Sequence, residues 1–389
     1  MKSTGIIVEY NPFHNGHKYH LKEARRITES DVVIAVMSGD FLQRGEPAII
    51  NKWKRCETAI KAGVDLVIEL PAVYATQSAE IFALGAVSIL EQLKVNSIVF
   101  GSENSSADEL TKLYEGMAKN RDEITSVLKA KLSEGVSYPN AINYATKKVL
   151  KQGLEYPNDI LGFEYINAIK KIESKIVPIS IRRFKTGYFS KEIRDDIASA
   201  TYIRELIKNG KLETIKRLIP FESKKELIQS KPIFLEHFFE LIKYKILSTP
   251  EEIKNIQDVE NGFENRLYKI IKKVNSYDRF INEVKTKRYT ISRINRILIH
   301  ILLGITREKT EEAKAESIEY LKVLGMNKKG ADYLSGVKKE IDIPIVTNYK
   351  NIKRSNKRVV KNYDFNENAS RIYNIVSNDE SKLEVVRFL

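Results

Sequence analysis

The residues best suited to chemistry fall close together near the start of the chain. Three of its five histidines, His14, His17 and His20, lie within seven residues, and Gly16 sits between the first two. The run Asn11–Pro12–Phe13–His14–Asn15–Gly16–His17–Lys18–Tyr19–His20 follows an apolar stretch (Gly5 to Tyr10) with the pattern of a short buried strand. It leads into a helical pattern over 18–28. A helix that opens straight after a strand offers unpaired N–H groups and a partial positive charge, which suits an anion. Glycine lets a phosphate approach the backbone, and imidazole N–H groups bond phosphate oxygens more strongly as charge builds on a transferring phosphorus. HxGH also occurs by chance. A metal site is a further alternative, but His14 and His17 lack a nearby carboxylate suited as a third ligand.

The elements needed to hold that turn are visible downstream. Val32–Met37, Leu66–Glu69 and Ser97–Phe100 read as covered parallel strands. Patterns over 52–62 and 78–92 read as the helices between them. This alternation predicts a doubly wound parallel sheet, with ligands beyond the carboxyl ends of its strands. Residues 107–151 read as helices, Pro157 opens another, Ile176–Arg182 reads as a fifth strand before FKTGYFS (184–190), and 200–209 as a short basic helix. From about 206 the spacing is that of long helices, and from about Lys338 the DIPIVTNY stretch suggests a small α/β tail. The expected fold is therefore α/β: a catalytic domain over 1–205, then a mainly helical region over 206–389.

Bulk properties narrow the class. The chain has 389 residues and 42% hydrophobic residues, enough for two or three domains, and one cysteine, Cys56, which excludes an internal disulfide. With no signal peptide pattern and no long apolar run, the sequence points to the cytoplasm. The net charge of +14 is uneven: 28 basic and 26 acidic residues lie in 1–205, against 37 and 25 in 206–389. A basic C-terminal half suits a polyanion such as RNA, or serves solubility alone. Its candidate contacts are Lys285, Lys287, Arg288 and Arg293, and Lys353, Arg354, Lys357 and Arg358, where a solvated face is the ordinary alternative for either cluster.

Two motifs carry a resemblance. HNGH after a first strand resembles the HIGH-type signature of the nucleotidyltransferase superfamily, whose fold is Rossmann-like. Ile197-Ala198-Ser199-Ala200-Thr201-Tyr202-Ile203-Arg204 is similar to its ISxTxIR segment. More specifically, VEYNPFHNGHKYH, MSGDFLQRGEPAI, GVDLVIELP, FGSEN and PNDILGFEY, in that order, resemble the tRNA(Met) cytidine acetate ligase family. The resemblance implies acetylation of N4 of the wobble cytidine of elongator tRNA(Met), from acetate and ATP through acetyl-adenylate. It implies ATP contacts along Ile7, Val8, Glu9, Tyr10, Asn11, Pro12, Phe13 and on to His20, and at Gly101, Asn158 and Arg183.

On that chemistry His14 and His17 are expected to meet the phosphates, and Arg183, Thr201 and Arg204 to neutralise pyrophosphate. Arg44 or Lys52, in the loop after the second strand with Asp40 and Gln43, is a candidate for acetate or the α-phosphate. Tyr10, Phe13, Phe41 and Trp53 are candidate platforms for an unstacked base, each equally suited to core packing. Mg²⁺ is expected only as the companion of ATP. Competing readings are an adenylyltransferase for a small phosphorylated metabolite, and an RNA-binding protein that holds ATP without catalysis.

Overall fold

In the computed structural model, residues 1–183, 193, 196–286 and 289–378 are described, together with the backbone of 386–388. Five parallel strands form its centre: β1 (Ser3–Val8), β2 (Val32–Ser38), β3 (Leu66–Leu70), β4 (Ser97–Ser102) and β5 (Val177–Arg182). Their order is β5-β4-β1-β2-β3, so the winding reverses between β1 and β4. β1 and β2 run in register from Ser3↔Val32 to Val8↔Met37.

Strand alternation explains the double covering. Val32, Ile34 and Val36 of β2 point into one apolar cluster, shared with helices Ala79–Gln92 and Pro157–Lys171. Val33, Ala35 and Met37 point into the other, shared with helices α1 (Asn15–Thr28) and α2 (Lys52–Lys61). α1 ends in Arg25 and Arg26, cations that complement its carboxyl end. A proline at the first turn preorganises helix Pro157–Lys171.

The C-terminal region is mostly helical, with its own core around helices Phe239–Ser248, Phe263–Ile271, Tyr277–Val284 and Ile291–Leu303. It also contributes β6 (Leu321–Asn327), which pairs antiparallel with β3 and lies in a stretch the sequence pattern assigned to helices. Residues 342–349 supply only the short β7 (Ile345–Val346), beside β6, and β8 (Val386–Phe388) pairs with β6 as well. The sheet thus draws on both sides of the expected boundary at 205.

Two fastenings hold β6 in place. At the amino end of the sheet, Asp65 accepts from the Val33 amide (2.8 Å) and the Asn327 side chain (2.8 Å) while pairing with Arg25. Beneath the carboxyl half lies a buried quartet of alternating charge. Lys52 meets Glu69 at 2.8 Å, Lys322 meets Glu69 at 3.1 Å, and Lys322 also bonds Glu367. Burial pushes the Glu69 carboxyl up, but Lys322 and Lys52 outweigh it and hold it at about 2. Such a group costs desolvation to assemble and costs more to break.

The loop between β2 and α2 is pinned by the C-terminal helices. Gly45 has φ +73°, and a Cβ there would lie 2.1 Å from the Arg296 amide nitrogen. The Tyr373 hydroxyl donates to the Ala48 carbonyl at 2.7 Å. Arg55, wholly buried, donates to the Glu9 carbonyl at 2.6 Å and the Ser38 carbonyl at 3.1 Å, so the loops after β1 and β2 are tied together.

Glu69→Leu strands two buried ammonium groups on one carboxylate. The expected loss is about 3–5 kcal/mol in urea unfolding at pH 7, and a change below about 1 kcal/mol would show that the quartet contributes little.

Candidate functional site

A cavity of about 230 Å³ opens beyond the carboxyl ends of β1, β4 and β5, where the winding reverses. Three helix N-termini reach it: Gly16 and His17 of α1, Pro157 and Asn158 of helix Pro157–Lys171, and Ser199 and Ala200 at the start of helix Ala200–Lys208. First-turn amides have no partner within their own helix, so the starts of α1 and of helix Ala200–Lys208 favour a polyanion; at the third, Pro157 has no N–H and Glu103 accepts from the Asn158 amide at 3.0 Å. Phe82, Phe100, Leu161, Tyr165 and Ile181 supply apolar wall.

The turn from β1 into α1 is shaped in detail. Tyr10 adopts φ +51° and the Asn11–Pro12 peptide is cis. The Asn11 side chain accepts from the Ile49 amide at 2.8 Å, and Arg204 donates to the Asn11 carbonyl at 3.0 Å. The Asn15 side chain donates to the carbonyls of Asp196 and Arg217, both at 2.9 Å. The Ser223 hydroxyl donates to the Phe13 carbonyl at 2.9 Å. Segments far along the chain therefore clamp both sides of the turn.

His14, at the N-cap of α1, is 5% exposed, and its ring stacks on that of His17 at 3.7 Å and 21°. The His14 amide donates to Nδ1 of His17 at 3.3 Å. Neutral His17 therefore carries its proton on Nε2, the nitrogen left to donate elsewhere. Nδ1 of His14 is buried without a partner among the described residues. Gly16 is required by this stacking: a Cβ would lie 2.9 Å from Cε1 of His14.

Burial, aided by the charges of Arg183 and Arg204, depresses His14 to about 3. Burial and neighbouring His14 and Arg183 hold His17 well below its ordinary value, and burial with Arg183 takes His20 to about 4. All three rings are neutral at pH 7, with His17 bonded to the Pro12 backbone and His20 to that of Val99. Glu9 also lines the cavity. Burial raises its carboxyl, and the Gln43 amide donates to it at 2.8 Å.

The cationic side is held in reserve. Arg183 donates to the Asn158 side chain at 3.2 Å, and Asn158 is bonded in turn to Glu103. Arg204 pairs with Glu46 at 3.1 Å. Gly101 stands beside Arg183, with space for a Cβ only 3.0 Å from its Cγ. The buried Asp159 carboxylate accepts from the Ser102 hydroxyl (2.6 Å) and the Glu103 amide (2.8 Å), which sets the loop after β4.

Most of the expected positions come together here. Ile7, Val8, Glu9, Tyr10, Asn11, His14, Gly16, His17, Tyr19, His20, Gly101, Asn158, Arg183 and Arg204 line the cavity, as do Gln43 and Arg44. Pro12, Phe13, Asn15 and Lys18 shape the turn from behind, and the Lys18 ammonium pairs with Glu222 at 2.8 Å. Thr201 is exposed outside the lining and meets Arg204 at 3.5 Å, whereas Ser199 lines the cavity and caps its helix.

Lys52 is corrected: its ammonium is wholly buried in the charge quartet and reaches Ser370 at 2.7 Å, away from the cavity. Asp40 accepts from the Lys52 amide at 2.8 Å and is likewise structural. Tyr10, Phe13, Phe41 and Trp53 are all buried, so none offers an open platform. FKTGYFS, Lys287 and Arg288 lie outside the described residues. Lys285, Lys353, Arg354 and Lys357 are exposed, while Arg293 pairs with Glu260 at 2.8 Å and Arg358 with Glu316 at 2.8 Å. Two groups escaped sequence reasoning. Leu161 and Tyr165 follow Asn158 at i+3 and i+7, a helical spacing that identifies their shared face. Glu46 carries no comparable signal.

Among the described residues no helix is long and apolar enough to cross a membrane, and no group of His, Cys, Asp or Glu is arranged to hold a metal.

The family model HIGH Nucleotidyl Transferase matches residues 1–385. A tRNA(Met) cytidine acetate ligase of Fusobacterium nucleatum is 45% identical over 386 residues, 96% of each chain. A ligase of the same name from Caldicellulosiruptor bescii is 46% identical, covering 88% of this chain and 86% of that one. The crystal structure of Thermotoga maritima TmcAL bound with alpha-thio ATP superposes with a TM-score of 0.91 at 34% identity, over 100% of both chains.

His14 gives the fold a pH dependence of definite sign. The unfolded ring takes a proton near 6.5, and the folded one not until about 3. Stability is complete above 6.5 and falls as pH drops towards 3, by up to about 1.4 kcal/mol per pH unit. Urea unfolding between pH 6 and 5 is expected to show a steeper slope than one group gives, because His17 and His20 are depressed as well, and His14→Gln to reduce it by up to about 1.4 kcal/mol per pH unit. An equal slope in the variant would contradict the assignment.

Proposed function

This chain belongs to the tRNA(Met) cytidine acetate ligase family of the HIGH nucleotidyl transferases, and from that membership and the cavity we propose the course of its reaction. It is an ATP-using ligase that activates acetate and acetylates N4 of the wobble cytidine of elongator tRNA(Met). The observation that carries this reading is the meeting of two helix N-termini, those of α1 and helix Ala200–Lys208, at a turn with two stacked, neutral imidazoles. That arrangement suits a triphosphate whose α-phosphorus undergoes substitution.

An acetate oxygen attacks the α-phosphorus, its bond to the bridging oxygen breaks, and pyrophosphate leaves. His14, His17 and the amides at the start of α1 donate to the phosphates. Arg204 exchanges Glu46 for pyrophosphate, and Arg183 turns from Asn158 towards it; guanidinium forks grip phosphate oxygens in pairs. The apolar wall from Leu161 and Tyr165 takes the adenine. Arg44, in the lining, is the acetate-side cation in place of Lys52. The cytidine amine then attacks the acetyl carbonyl, the bond to phosphate oxygen breaks, AMP leaves, and the amine loses a proton. Positioning and charge stabilisation do this work without a protein nucleophile, and Cys56, buried with its thiol pushed up by burial, takes no part.

Magnesium enters, on this reading, as the companion of the triphosphate. The described residues offer it no cage of their own. Exposed Lys285, Lys353, Arg354 and Lys357 are the proposed phosphate contacts of the tRNA, and Lys287 and Arg288 follow the first in the sequence.

With ATP and labelled acetate, label is expected to enter tRNA as N4-acetylcytidine, identified by mass after digestion. His14→Ala should lower adenylate formation by about 10²-fold or more while tRNA still binds; undiminished turnover would remove His14 from the mechanism. Affinity for tRNA is expected to fall about 10³-fold or more between 50 and 200 mM salt, and a salt-independent affinity would contradict the docking surface.

A further inference from the structure

Acetyl transfer leaves one proton without a destination. The exocyclic amine of cytosine shares its lone pair with the ring, so it attacks a carbonyl well only as a nearby base withdraws one of its protons. That base must line the nucleotide cavity and keep a lone pair open to the space where the adenylate forms. The described wall offers few such groups. Nδ1 of His17 is taken up by the His14 amide at 3.3 Å. Nδ1 of His14 and Nε2 of His20 lack partners among the described residues, but both atoms are sealed from solvent. Their rings hold a proton only below about 3 and about 4. Burial pushes the Tyr10 and Tyr165 hydroxyls above their ordinary values, so both keep their protons. Glu46 is paired with Arg204 at 3.1 Å.

Glu9 is the other carboxylate among the described residues of the wall. It follows β1 directly, at the head of the turn that carries His14 and Gly16. Its side chain is half-buried. One oxygen, Oε1, accepts from the Gln43 amide at 2.8 Å, and Oε2 has no partner among the described residues. The Gln43 bond holds the carboxylate against the loop whose next residue is Arg44, the cation assigned to acetate. The charged and titratable groups around it are Arg44 and Glu46 of that loop, Arg204 of helix Ala200–Lys208, and Tyr165 of helix Pro157–Lys171. Arg55 of α2 donates to its backbone carbonyl. Burial outweighs the arginines and raises the carboxyl, so it takes up a proton more readily than a free glutamate.

We propose that Glu9 is the general base of acetyl transfer, its Oε2 taking a proton from N4 of the cytidine as the carbon–nitrogen bond forms; this rests on the function proposed above. The N4 lone pair makes the bond to the acetyl carbon, and the carbonyl π pair moves onto its oxygen. As the carbonyl re-forms, the bond from carbon to the phosphate oxygen breaks and its electron pair leaves with AMP. The proton on Oε2 passes afterwards to the AMP phosphate or to water. The order of steps suits this role. Departure of pyrophosphate removes negative charge from the cavity, which favours the ionised carboxylate before the amine arrives.

Acetyl-adenylate supplied with tRNA to the full-length protein isolates the transfer step. At saturating concentrations of both, Glu9→Gln is expected to lower the single-turnover rate of N4-acetylcytidine formation by about 10²-fold or more. Glutamine keeps an oxygen for the Gln43 amide, so the unfolding midpoint should stay close to that of the parent. The parent rate should fall as pH drops and Oε2 gains a proton, by up to about tenfold per pH unit, and the Gln variant should lose that acid limb. Glu9→Asp keeps a carboxylate and should keep the limb at a reduced rate. A Gln variant within about threefold of the parent would overturn the assignment. So would a slower Gln variant with the acid limb intact, or an Asp variant without it. A parent protein that makes no N4-acetylcytidine from acetyl-adenylate would instead overturn the proposed function.

Discussion

A triphosphate brings concentrated negative charge into a partly buried site, and the protein must answer it without carrying the opposite charge unshielded beforehand. The turn from β1 into α1 meets this constraint with dipoles. The first amides of a helix lack partners within it, and the turn's imidazoles are neutral because burial keeps them so. Gly16 is the point on which the geometry turns, because the His14 ring occupies the space a side chain would need. The two arginines nearest the site already rest on Asn158 and Glu46, partners that a phosphate can displace.

The same constraint explains why the C-terminal region is inseparable from the catalytic half. A turn with a left-handed Tyr10 and a bare Gly16 needs support from behind, and Asp196, Arg217 and Ser223 supply it through backbone contacts. The loop after β2 is held by Arg296 and Tyr373. β6 extends the sheet, and the buried quartet joins β3, α2, β6 and helix Lys357–Ser377 through paired charges. The parts proposed to bind RNA and the parts that handle ATP therefore share one framework.

Much of this was legible in the sequence, for identifiable reasons. The apolar runs Val32–Met37 and Ser97–Phe100 read as covered strands and are strands, and the strand–HNGH–helix order pointed to the end of β1, where the cavity opens. Asn158 was recognisable from its motif; Leu161 and Tyr165 were missed, although helical spacing puts them on its face. What failed depended on distant partners. Lys52 follows β2 just as a ligand-binding residue would, yet Lys322 and Glu367, which complete its quartet, lie far along the chain. β6 was hidden because a lone antiparallel strand between helices has no repeating pattern around it. The basic clusters could not be divided by sequence into free and paired charges, and the structure finds Arg293 and Arg358 already paired with carboxylates.

The most direct measurement is a crystal structure with a non-hydrolysable ATP analogue. The account requires the phosphates to lie against the amide of Gly16 and the start of helix Ala200–Lys208, within hydrogen-bond reach of both imidazoles, with Arg204 drawn off Glu46. A nucleotide bound elsewhere, with the His14–His17 stack and the Arg204–Glu46 pair unchanged, would contradict it.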